Sequence, residues 1–175
     1  MSLDKFIKYT KKCKSFDVNM YIDYLRFIKD LELDIKNKKY LFPKDLKEEH
    51  DKYEKQVSLH KSQILRRKIK ERYVNLKDNT FKTKKYIIFP AKSVKELEDE
   101  SKQQNNCVRT YAERYANGEC DIYFMRENNN IKSSLVTVEV KKNKVVQSKT
   151  KYNKGTTKLQ NNFLEKWENE VLKVA

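Results

Sequence analysis

Between residues 17 and 33, Tyr21, Tyr24, Leu25, Ile28 and Leu31 recur at three- and four-residue steps, the spacing of an amphipathic helix. Pro43 predicts a second helix as a first-turn proline, with Asp45, Glu48 and Glu49 in the early turns where the helix dipole favours acids. Its apolar row runs through Leu46, Tyr53, Val57 and Ile64, takes in His50 and His60, and extends through Ile69 and Tyr73 to Leu76. That pattern makes either one helix of about eight turns or two helices with a break near residues 58–62. Residues 85–90 (KYIIFP) are a short apolar run stopped by proline, a brief strand. Ser93 and Glu96 form a capping box for a helix through Val94 and Leu97 that ends in the polar run 101–106. Asn106 caps a further helix over 107–116, which Asn117 and Gly118 close in a left-handed turn.

The period then changes from near four to two. Residues 121–126 (DIYFMR), 134–140 (SLVTVEV) and 144–149 (KVVQSK) predict strands of an antiparallel meander, joined by an Asn-rich turn and a Lys-Asn turn. Alternation sets Val136, Val138 and Val140 on one face, the core face, and Leu135, Thr137 and Glu139 on the other. A final amphipathic helix carries Leu159, Phe163, Trp167, Val171 and Val174. The class is α+β: a small antiparallel meander of three to four strands with helices on one face, preceded by a helical N-terminal region with a long basic helix. The expected division is 1–84 helical and 85–175 α+β core.

Charge alters this picture more than composition does. The 175 residues carry 40 Lys+Arg against 25 Asp+Glu, a net charge of +15, yet 38% hydrophobic residues are enough to bury a core. A lysine-rich, asparagine-rich composition follows from AT-rich coding, but the acids have not kept pace, and the excess is localised. Residues 61–85 hold ten basic residues and two acids, and residues 140–158 hold seven lysines and no acid. Such segregation suits a polyanion, against the plainer reading of two solvated faces that aid solubility. The expected phosphate contacts are Arg66, Arg67, Lys68, Lys70 and Arg72 in the first block and Lys141, Lys142, Lys144, Lys149, Lys151 and Lys154 in the second. Lysine dominance favours phosphate contact over base readout. The aromatics Tyr111, Tyr115, Tyr123, Phe124 and Tyr152 lie near these blocks, available for stacking on bases if they are not core.

Several chemistries are excluded. Two glycines, Gly118 and Gly155, cannot write a glycine-rich phosphate loop. Three cysteines (Cys13, Cys107, Cys120), two histidines and no CxxC make no ordinary zinc site, so no metal and no cofactor are expected. The His50-Asp51 dipeptide is a weak metal signal without partners, and both histidines are expected to be packed, hydrogen-bonded residues. The odd cysteine count and the absence of any apolar run of about 18 residues lead to expecting a cytoplasmic protein without a membrane segment. A nuclease using paired metals is disfavoured, because Glu139 stands alone in its strand where several acids would be needed.

Residues 103–126 (QQNNCVRTYAERYANGECDIYFMR), followed by SLVTVEV, KVVQSKTKYN and a terminal helix with FLEKW, resemble the PcfJ-like family of conjugative plasmids, phages and related mobile elements. The resemblance runs from about Asn19 onward, with DYLRFIKDLELD and YLFPKDLKEEHD as the approach, and is matched to the carboxy-terminal part of longer members. It implies association with mobile DNA and no particular reaction. The family's His-Cys-Val-Gly becomes Asn106, Cys107, Val108 and Arg109; Cys107, Tyr111, Gly118, Arg126, Thr137, Glu139, Gln147 and Asn153 persist. The change to Asn106 removes an imidazole able to deprotonate the neighbouring thiol, and Cys107 is expected chiefly as a buried residue fixing the helix to the sheet. Glu139, Arg126, Gln147 and Asn153 form either a polar cluster at one end of the sheet or a cross-strand ion pair.

The leading expectation is a non-catalytic DNA- or RNA-binding accessory protein of a mobile element. Two competitors stand beside it. One is an enzyme acting on nucleic acid or a nucleotide through Cys107, Tyr111, Glu139 and Gln147. The other is a protein-binding inhibitor of a host nuclease or defence complex, docking on an acidic partner.

Overall fold

A computed structural model describes residues 3–13 and 16–174. The chain divides into two compact units, Met1–Gln63 and Ile64–Ala175, whose boundary falls inside one long helix; the boundary expected from the sequence, at 84/85, lies beyond that helix.

The first unit holds α1 (Leu3–Lys12), α2 (Val18–Asp30), the single turn α3 (Lys38–Leu41) and the start of α4 (Leu46–Leu76). Asp17 begins α2 by accepting the Asn19 and Met20 amide hydrogens, which would otherwise lack partners. Three of the buried residues of this unit are tyrosines, Tyr21, Tyr24 and Tyr53. Tyr21, Tyr24 and Ile28 pack with Leu46 and Tyr53, and Tyr24 meets Tyr53 edge-on at 5.9 Å.

Helix α4 is continuous over 31 residues, which decides between the two alternatives for this region. Tyr53 and Val57 are buried early in it and Ile69 and Leu76 late, while residues 58–63 are all exposed. His60 lies in that exposed stretch, so the expectation that it is packed is corrected; the helix buries no residue there. His50 is half-buried, its ring 5.2 Å from that of Phe27.

The second unit is built on a five-stranded sheet in the order β1 (Phe81–Lys82), β2 (Tyr86–Pro90), β3 (Asp121–Glu127), β4 (Val136–Lys141) and β5 (Lys144–Lys149), every neighbouring pair antiparallel. β1 was not foreseen, being only two residues long. The connection from β2 to β3 contains α5 (Val94–Gln104), a 3-10 turn at Val108–Tyr111 and α6 (Ala112–Ala116). One helix was expected over 107–116; the irregular first turn and short α6 replace it. α5 runs further than expected and stops where Asn105 turns left-handed at φ 49°.

The valine face is core, as alternation predicts. Val136, Val138 and Val140 pack with Tyr123 and Met125 under α7 (Lys158–Trp167), whose Trp167 meets Tyr123 at 4.7 Å. The Trp167 indole N–H also donates to the Asn79 carbonyl at 2.8 Å, tying α7 to the turn after α4. The opposite face is covered as well: Ile122 and Phe124 pack with Ile69, Leu97, Val108 and Tyr115. Helices therefore cover both faces, where one was expected, and this is why Thr137 and Glu139 are buried. The α+β class stands. Among the described residues, no helix is long and apolar enough to cross a membrane.

Candidate functional site

Two irregularities of β5 shape the site. The β4–β5 turn is Lys142-Asn143 with φ 49° and 58°, the doubly left-handed two-residue turn that matches strand twist. Val140 pairs with Val145 but Glu139 pairs with Gln147, so Val146 is an extra residue and β5 bulges. Without the bulge, every side chain beyond it would change faces. With it, Gln147 stands opposite Glu139.

Beside this pair is a cavity of about 180 Å³. Its walls bring together Cys107 and Tyr111 from the 3-10 turn, Glu139 from β4, Gln147 and Lys149 from β5, and Asn153 from the following loop. Arg126 is not among them. It shares a sheet face with Glu139 but pairs across to Ile87, while Glu139 pairs with Ile122, four residues back along β3. The expected cluster of Glu139 with Arg126 is thereby corrected.

Arg126 instead forms a buried ion pair with Glu100 of α5, whose other oxygen accepts the Thr137 hydroxyl at 2.6 Å. Thr137 in turn accepts from the Asn106 amide at 3.2 Å, and Asn106 Oδ1 accepts the Val108 N–H at 3.1 Å. The residue that replaces the family histidine thus starts the 3-10 turn and fastens it to β4. Sequence reading missed Glu100; the available signal was its place in the buried row with Leu97, Ser101 and Gln104.

Cys107 is exposed, contrary to the expected buried plug, because Val108 takes the buried position of its turn. Both histidines belong to the other unit. Cys120 is buried, and burial pushes its thiol up to about 11. Glu139 Oε1 lies 3.5 Å from Arg114 and 3.3 Å from Lys141.

The basic residues are unequally engaged. On α4, Arg72 is paired with Asp121, Lys68 donates to Asn117 at 3.0 Å and Arg67 approaches Glu71 at 3.7 Å; Arg66 and Lys70 are exposed without an ion pair among the described residues. Asp121 pairs across the sheet with Val140, so these α4 residues dock at the end that carries Lys141, Lys142 and Lys144. Lys149, Lys151 and Lys154 lie toward the other end of β5, roughly 16 Å away at ~3.3 Å per residue. None of these last three has an ion pair among the described residues.

Two clusters lie in the first unit. His50, Asp51 and Glu54 place three potential ligand atoms within 4.8 Å of one another, so the His50-Asp51 pair has the third partner it lacked in sequence. A cavity of about 540 Å³ between α1 and the α3 turn is bordered by Lys5, Lys8, Lys12, Lys38 and Lys44 over Tyr9 and Phe42. The three-to-four-residue spacing of Lys5, Lys8 and Lys12 was a signal that sequence reading passed over.

A meander with both faces covered, and a polar cavity beside its last strand, define the class of this protein. The PcfJ-like protein family model matches residues 20–164, and the chain belongs to that family. The match begins in α2 and ends in α7, so it takes in the helical region together with the sheet, which corrects its placement in a carboxy-terminal part alone. An uncharacterized protein of Listeria innocua is 28% identical over 139 residues, covering 78% of this chain and 31% of the relative. The chain thus spans about a third of that relative's length. No solved structure matches.

Proposed function

We propose that this chain binds nucleic acid through its phosphates, as a non-catalytic accessory protein of a mobile element. The reading rests on one observation. Lysines line the exposed edge strand β5 from the Lys141–Lys144 turn to Lys149, Lys151 and Lys154, and Arg66 and Lys70 stand free on the helix docked at one end. Two carboxylates reach this edge: Glu139, beside Lys141, and Glu168, which accepts the Val145 N–H at 2.8 Å. Neither neutralises Lys149, Lys151 or Lys154.

Neutralising about five phosphates gives log K against log salt a slope near −4 to −5 on duplex DNA. An anisotropy titration at several NaCl concentrations measures it. The triple reversal of Lys149, Lys151 and Lys154 to Glu is expected to flatten that slope by about 3, while Glu165→Lys leaves binding intact. Tight binding that ignores salt, or none at low salt, overturns the reading.

A second reading, an enzyme on nucleic acid or nucleotides, draws on the meeting of Cys107, Tyr111, Glu139 and Gln147 at one cavity. It requires an activated thiolate. The expected outcome is that Cys107 reacts with a thiol reagent at pH 7 no faster than a free peptide thiol, and that Cys120 reacts only on unfolding. Faster labelling that disappears in Cys107→Ser would favour the enzyme.

A further inference from the structure

We infer that the bound polyanion is single-stranded, and that this edge holds two unpaired bases, one stacked on Tyr152 and a neighbouring one in the cavity. The inference rests on the phosphate-binding reading above and adds the kind of strand bound.

The aromatic residues near the basic blocks separate sharply. Tyr115, Tyr123 and Phe124 are buried in the core, and Tyr111 is half-buried in the cavity wall. Tyr152 is 58% exposed. Its exposure is held in place by a costly backbone: Tyr152 and Asn153 are consecutive non-glycine residues in the left-handed region, at φ 60° and 57°. The loop is closed by the Thr150 N–H and hydroxyl, which donate to the Lys154 carbonyl at 2.9 and 3.3 Å. These bonds over-determine a conformation that the residues would otherwise avoid. They leave an aromatic face outside the core, with Lys151 Nζ 5.4 Å from its centroid and Lys149 and Lys154 alongside in the chain. A ring face among ammonium groups is how sequence-tolerant single-strand binders hold a base and its phosphates.

The cavity suits the rest of the nucleotide by its hydrogen-bonding groups. Glu139, its charge balanced by Arg114 at 3.5 Å and Lys141 at 3.3 Å, lines it as an acceptor for a ring or exocyclic N–H. Gln147 and Asn153 are amides that both donate and accept, as the polar edge of a base requires. Phosphates lie along Lys149 in the wall and Lys151 and Lys154 beyond it, and a polar ring enters. A base inside a duplex presents neither its face to Tyr152 nor its pairing edge to the cavity.

The test compares single-stranded oligonucleotides of DNA and of RNA with a duplex of equal length by anisotropy at one salt concentration. It uses the full chain and the variants Tyr152→Ala, Tyr152→Phe and Glu139→Gln. A strand carrying 2-aminopurine reports stacking directly by quenching. The single strand is expected to bind at least about tenfold tighter than the duplex. Tyr152→Ala should lose between about fivefold and a hundredfold on the single strand, with its quenching, and almost nothing on the duplex, while Tyr152→Phe retains both. Glu139→Gln should lower the ratio of single-strand to duplex affinity, through loss of the base contact and release of Lys141 for phosphate. Equal affinity for the two forms, or an unaffected Tyr152→Ala, overturns this inference and leaves phosphate binding standing. Failure of every strand to bind, or indifference to reversal of Lys149, Lys151 and Lys154, overturns both.

Discussion

Glu100 illustrates how one residue escapes sequence reading and still governs its surroundings. It is 1% exposed, pairs with Arg126, and accepts from Thr137 and Ser134. Glu100→Gln leaves the Arg126 guanidinium buried without its counter-charge, a loss expected to cost about 3–5 kcal/mol in urea unfolding. The double replacement Glu100→Met with Arg126→Met removes both charges and should recover much of that loss. In sequence, Arg126 has Glu139 and Gln147 as plausible partners because all three share a face by alternation. Distance along the strand separates them, and only the pairing register reveals it. Cys107, Tyr111, Glu139, Gln147 and Asn153 were legible as individuals from the family resemblance; their meeting at one cavity depends on the β5 bulge, which no local pattern announced.

Among the elements, periodic segments were the easiest to read and their ends the hardest. The valine strand follows directly from a spacing of two, and the middle of the Trp167 helix from a spacing of three to four. Leu159 and Val174, expected on its buried row, are exposed, the latter because the α-helix ends at Trp167 and a wider turn over Glu168–Leu172 buries Leu172 instead. The span of α4 was ambiguous because its buried row lapses over residues 58–63 while the helix itself continues. β1 is too short for any periodicity to register. Gly118 is better determined: at φ 74° it closes α6 and turns the chain into β3. Gly118→Ala is expected to destabilise by about 1–2 kcal/mol, since the left-handed backbone penalises any Cβ even though the nearest atom, Arg72 Cζ, is 3.7 Å away. Gly155→Ala meets open space and should be neutral or slightly stabilising. Thermal unfolding of the two variants distinguishes conformational strain from the general effect of losing a glycine.

For the whole molecule, the α+β class and a helical region before the sheet were within reach of the sequence, whereas helices on both faces were not, because a buried Thr137 and Glu139 read as solvent-facing. Charge works at this scale too. At +15, with Lys149, Lys151 and Lys154 unpaired among the described residues, the folded chain repels itself. Raising NaCl from about 20 to 300 mM is expected to raise Tm through screening. A Tm that falls over this range would mean that ion pairs such as Arg72–Asp121 outweigh the repulsion.

β5 is also the last strand of an open sheet, with Val146 52% exposed at its bulge. An unpaired strand invites a second molecule to extend the sheet, and lysines with a kink are the usual guards against such self-association. Acetylating or reversing the β5 lysines would therefore lower the barrier to edge-to-edge aggregation as well as weaken the proposed polyanion binding. Any lysine-free variant should be checked by light scattering before its lost binding is attributed to lost phosphate contacts.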